Sequence, residues 1–139
     1  MKYTIELNKK QMDVMAEALE FYTRFVSGQM EYKPPALEGW MWKEHKGDWS
    51  RIVENYDNSM SIAKNVVFGF ARNQHAGISS PIHEVAVGYE MYKMMLLQRH
   101  NEWQEDNPKD TSYSVHSSLP LKLSGEEMII IQKLEEKEQ

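Results

Sequence analysis

The sequence predicts an α+β fold in a single domain over residues 1–139: an N-terminal strand, three main helices and short C-terminal antiparallel strands. Residues 2–7, KYTIEL, put Tyr3, Ile5 and Leu7 on one face and Lys2, Thr4 and Glu6 on the other, the alternation of a half-buried strand. Three longer stretches repeat apolar residues at alternating steps of three and four, the period of a helix. Beyond Asn107-Pro108, which ends the last of them, TSYSVHS and LKLSGEEMIII read as two or three short strands. The first strand has two possible neighbours, the late strands or a second copy of the chain.

Asn8 is the expected N-cap of the first helix, with Gln11 three residues on as its capping-box partner. That helix runs from about Lys9 to Ser27 and stops at Gly28. Met12, Met15, Leu19, Tyr22 and Val26 form its apolar stripe, while Lys10, Asp13, Glu17, Glu20, Arg24 and Ser27 share the polar face. Residues 29–47, punctuated by Pro34-Pro35, Gly39 and Gly47, form an irregular link anchored by Trp40 and Trp42. Asp48 caps a second helix from about Trp49 to Arg72, whose stripe includes Ile52, Val53, Tyr56, Met60, Ala63, Val67 and Phe70. NQHAGISSP, residues 73–81, is a loop ending in a helix start, with Ser80 at the N-cap and Pro81 at the first helical position. The third helix runs to about Glu105, and residues 133–139 are a charged tail expected to fray.

Composition narrows the function. A net charge of −5 gives no electrostatic case for a DNA- or RNA-binding face, although one local basic pocket would serve a small anion. With no cysteine there is neither a disulfide framework nor a thiolate metal site. No apolar run reaches the ~18 residues of a membrane span, and MKYTIELNKK lacks the apolar core of a signal peptide. The expected location is cytoplasmic. The five histidines make no HExxH and no i,i+3 or i,i+4 pair, so no metal site is read. There is also no GxSxG elbow and no P-loop.

Arg99 stands out. Val85, Tyr89, Tyr92, Leu96, Arg99 and Trp103 follow one another at helical steps, so Arg99 shares the inner stripe with core residues. A guanidinium there needs a carboxylate, an aromatic face or an anionic ligand. A structural ion pair and a ligand site both satisfy that need. Arg24, one turn from Glu20, reads as an i,i+4 ion pair on a polar face unless another chain or a ligand meets it. In the loop, Gly77 permits a tight turn, and the backbone N–H groups near Ser79 and Ser80 are able to hold an anion. Asn73 has the donors and acceptors to bond a base or ribose edge, and Phe70 the ring to stack on it. An ordinary capped helix explains the same residues. A rival, enzymatic pattern is ExxE at Glu17 and Glu20 with ExxD at Glu54 and Asp57. Two such pairs facing each other would hold Mg²⁺ for nucleotide hydrolysis, as in the all-α nucleotide pyrophosphatases they loosely resemble.

KYTIELNKKQMDVMAEALEFYTRFVSGQME, RNQHAGISSP, AVGYEMYKMMLLQRHNEW and SYSVHSSLPLKLSGEE together resemble the anti-Thoeris sponge proteins of bacteriophages (Thoeris anti-defence protein one) over about three quarters of the chain. The resemblance implies a non-enzymatic, cofactor-free protein that sequesters glycocyclic ADP-ribose, the signal made by bacterial TIR-domain enzymes. It also implies a homodimer or higher homo-oligomer with ligand near subunit contacts. Carried over by position, it makes Arg24 and Arg99 ligand-contacting arginines, with Asn73 and the loop to Ser80, and Phe70, lining the same site. Trp103 supplies an aromatic face, and Ser114 and His116 close the site. One departure is Ala76 before Gly77, where the family pattern leads us to expect an aromatic residue.

Overall fold

The computed structural model describes residues 1–111 and 116–135. Among them are four α-helices and no strand: α1 at Lys9–Val26, α2 at Pro35–Glu44, α3 at Trp49–Phe68 and α4 at His83–Asp106. The expected α+β class is therefore corrected to an all-helical one. Residues 1–8 lie outside any helix or strand, with Tyr3 84% and Ile5 68% exposed. Alternation tells which side chains share a face, but a strand also needs a neighbour to complete its ladder, and residues 121–131 offer none. TSYSVHS falls largely outside the described residues.

The helix signals fare better. Asn8 and Gln11 form the capping box, with both reciprocal bonds at 2.9 Å. α3 ends four residues before the expected Arg72, because Gly69 takes the left-handed conformation at φ +70° and its N–H bonds back to Asn65 O. Asp48 precedes α3 but makes no side-chain cap bond, and its carboxylate accepts from Arg51 instead. The link at 29–47 hides α2, which Pro35 opens from the first turn, where its missing N–H costs nothing. Its buried residue is Met41, while the expected anchors Trp40 and Trp42 are 58% and 47% exposed. α4 starts at His83 rather than Pro81.

α1 and α4 are the principal packed pair and run antiparallel: Thr23 meets Gly88 at one end and Asp13 meets Arg99 at the other. Their seam lies one residue round from the apolar stripe of α1. Ala16, Thr23 and Ser27 are its buried residues, whereas Tyr22 is 46% exposed. Small side chains win because they let two backbones approach closely. A Cβ at Gly88 would lie 2.3 Å from Thr23 Oγ1. α3 stands apart, docked on residues 29–33 by charged groups: Lys33 on Asp57 at 2.7 Å and the buried Lys64 on Glu31. No helix is long and apolar enough to cross a membrane among the described residues.

Candidate functional site

Arg99 lies in a cleft of about 430 Å³ at the C-terminal end of α4, lined also by Lys9, Asp13, His100, Trp103 and His116. That volume falls within the ~300–1,000 Å³ of small-molecule sites. α4 projects Arg99 and Trp103 one turn apart, and α1 supplies Lys9 and Asp13 across the seam. Arg99 Nε sits 3.2 Å from Asp13 Oδ1, with the arginine side chain 39% exposed. Its two terminal nitrogens make no hydrogen bond among the described residues. The guanidinium is thus tethered by one edge and keeps donors for a ligand. Trp103, 40% exposed, tilts against His100 at 5.9 Å and leaves ring surface to solvent. Burial lowers the His116 pKa, with Lys93 next and Arg99 and His100 pushing the same way, against Glu20. The imidazole is therefore neutral at pH 7. Around the cleft, Asp13, Glu102 and Asp106 outnumber Lys9 and Arg99. Any anion bound here relies on directed donors rather than on net positive potential.

Arg24 is held differently. Its Nε and one terminal nitrogen meet Glu20 at 3.0 and 2.9 Å, the other donates to Gln29 at 2.8 Å, and the guanidinium lies 4.6 Å above the Tyr32 ring. All three nitrogens are engaged, which is the ion-pair alternative of the two that the sequence leaves open. Tyr92 of α4, pushed up to about 12 chiefly by burial, feels Arg24 and Glu20 as well. Along α1, Arg24 lies roughly 16 Å from Asp13, the partner of Arg99, at 1.5 Å per residue. One chain does not place both arginines in one cleft. His116 lines the Arg99 cleft.

The loop after α3 folds onto the end of α1. Phe70 stacks on Phe68 at 5.3 Å, and its ring fills the notch of Gly28, where a Cβ would lie 2.6 Å away. Gly28 has φ +96°, so glycine is required there both by backbone conformation and by space. Ala76 N–H bonds Ser27 O and pins the loop. Asn73 is exposed at the rim of a second cleft, of about 500 Å³, with Gln29, Tyr32, Lys33, Lys64 and Arg72. Asn73 therefore neighbours the contacts of Arg24, not Arg99. Phe70 spends its ring on packing.

Ser80 does not cap α4. Its N–H bonds Gly77 O and its hydroxyl accepts from Ile82 N–H at 3.2 Å, while Ser79 N–H bonds Ala76 O. The N–H groups expected to hold an anion are already used by the 3-10 turn at Gly77–Ser79. Ser114 lies outside the described residues. Two of the four carboxylates of the hydrolase alternative are engaged by cations, Glu20 by Arg24 and Asp57 by Lys33. No group of three metal-ligating side chains forms among the described residues.

Sequence reasoning misses two buried ionic residues. Lys64, 1% exposed, bonds Glu31 and Arg72 O, holding α3 to the loops. Glu90, 3% exposed on α4, accepts from Leu123 N–H, Ser124 N–H, Ser124 Oγ and Lys122 Nζ, clasping the C-terminal segment. Burial alone would raise its pKa, but the bonds from Ser124, Leu123 and Lys122 outweigh it and hold the carboxyl at about 2. A lone charge among apolar neighbours was the one available signal for either. Comparisons of the chain with models of known protein families, with curated proteins and with solved structures gave no match.

Proposed function

We propose that the protein is a non-enzymatic sponge of the anti-Thoeris kind. It binds TIR-derived cyclic ADP-ribose isomers such as glycocyclic ADP-ribose, in the bacterial cytoplasm and as a homo-oligomer, and so blocks host immune signalling. The observation that supports this best is the Arg99 cleft, where a half-exposed guanidinium with donors to spare lies beside Trp103 and His116. Such a fork suits a pyrophosphate, the indole suits an adenine, and the neutral imidazole suits a ribose hydroxyl. Sequestration needs affinity without chemistry, which asks for binding groups only.

The test is to incubate the purified protein with TIR-enzyme product, remove free nucleotide, denature, and analyse what is released by mass spectrometry. The expected result is intact glycocyclic ADP-ribose, carried by the wild type and reduced at least tenfold in Arg99→Ala. Asp13 Oδ1 is out of solvent, so losing its counter-ion should cost about 1–3 kcal/mol, and retention is read at a temperature where both proteins are folded. A cleaved nucleotide, or none, would overturn the proposal.

A further inference from the structure

A third cleft, of about 470 Å³, opens at the other end of α4. Val87 in its wall lies about 18 Å along the helix from Arg99. Three segments enclose it. Leu19 and Tyr22 come from the apolar row of α1 that the α1–α4 seam leaves aside, Val87 and Met91 from α4, and Met128 and Ile129 from the C-terminal segment. The last wall is fixed by Glu90, whose carboxylate accepts from Leu123 N–H and Ser124 N–H just before it. The rim carries one sign of charge: Glu84, Glu126 and Glu127 line the cleft, with no lysine or arginine among the lining residues. Glu84 is exposed, and its carboxylate has no hydrogen bond or ion pair among the described residues. Glu126 has only the His83 imidazole, at 3.8 Å. Lys2 of the N-terminal segment sets its ammonium 2.8 Å from Glu127.

From this we infer that the cleft binds a small hydrophobic amine, with its apolar body between Leu19, Val87, Met91 and Ile129 and its ammonium at Glu84 and Glu126. Each half of that ligand answers to an observation. The apolar walls shed water onto an apolar body, and the two methionines, unbranched and polarizable, adapt to its outline. The rim carboxylates attract an ammonium and repel a carboxylate or a phosphate. Lys2 already seats an ammonium on one of them. Glu90 lines the cleft without competing for the ligand, because its oxygens are spent on Leu123, Ser124 and Lys122. A second copy of a chain with net charge −5 would bring carboxylates towards carboxylates here. The site stands apart from the sponge reading, in another cleft and with a ligand of opposite charge.

Methyl NMR spectra of protein labelled at methionine and isoleucine test it, titrated with phenylbutylamine and, as controls, phenylbutanol, phenylbutyrate and butylamine. The expected result is that phenylbutylamine shifts the methyls of Met91, Met128 and Ile129 and leaves that of Met41 on α2 unmoved. It should bind at least tenfold more tightly than any control. The double variant Glu84→Gln/Glu126→Gln alters only exposed carboxylates, so it should keep the wild-type far-UV circular dichroism. Its preference for the amine over the alcohol should fall at least fivefold. Added salt should weaken the amine and not the alcohol. Unmoved cleft methyls, a control that binds as tightly as the amine, or an unaltered preference in the double variant would overturn the inference. So would cleft methyls that shift with protein concentration before any amine is added, which would give the cleft to a second copy.

Discussion

Two side chains of opposite fate show what a charged residue does in this protein. Glu90 is buried and satisfied on all sides, whereas Arg99 is half-exposed and tied by one edge. Glu90 is a stability residue. Its carboxyl titrates at about 2 when folded, against an ordinary value of 4.5. The folded state therefore holds its proton more weakly than the unfolded one. The stability is fully present above about pH 5 and is lost as pH falls towards 2, up to about 3 kcal/mol. Glu90→Gln should lose about 1–3 kcal/mol at pH 7 in urea unfolding, and the gap from wild type should close as the pH falls through that window. A gap that stays constant with pH would show that the charge is not what matters. Arg99→Ala should remove ligand at any pH at which the variant is folded, at a modest cost in stability from the stranded Asp13 Oδ1.

At the scale of elements, the seam between α1 and α4 is governed by one close approach. Gly88 lies opposite Thr23, whose buried hydroxyl has no hydrogen-bond partner among the described residues. Gly88→Ala should separate the helices and cost about 1–3 kcal/mol by thermal or urea unfolding, despite the better helix propensity of alanine. Adding Thr23→Ala removes the clashing oxygen, leaving ordinary contacts of 3.6 Å to the Cβ of residue 23 and 3.8 Å to Tyr22 Cδ1. The double variant should therefore recover most of the loss, and a purely additive double would refute close contact at this point. Periodicity located α1 and α4 to within two or three residues, because capping and spacing are local properties. It did not identify which stripe of α1 faces α4. Met12, Met15, Leu19, Tyr22 and Val26 form the more apolar row, yet Ala16, Thr23 and Ser27 are buried, since close approach rewards small volume over hydrophobicity.

For the whole molecule, more large apolar side chains are exposed than buried among the described residues, Ile62, Val66, Val67, Leu119 and Ile130 among them. Under the homo-oligomer of the proposed function, such a chain would complete its burial by association. Its melting temperature should rise with protein concentration, because oligomerisation stabilises the folded chain by mass action. A melting temperature unchanged over a hundredfold range in differential scanning calorimetry would argue for a self-sufficient monomer.

The amino-acid sequence by itself determined where three of the four helices lie, where α1 is capped, and that Arg99 and Trp103 share one face of the last helix, one turn apart. These follow from spacing within one or two turns. Tertiary structure decided what spacing cannot carry. It left residues 1–8 without a strand partner, gave Arg24 wholly to Glu20, Gln29 and Tyr32, and spent the N–H groups around Ser80 on a turn. It also buried Lys64 and Glu90 beneath segments distant in the chain. The physical reason is one of range. A cap or a stripe is satisfied by neighbours in sequence, but a ladder, a buried charge or a cleft depends on which distant group arrives to meet it.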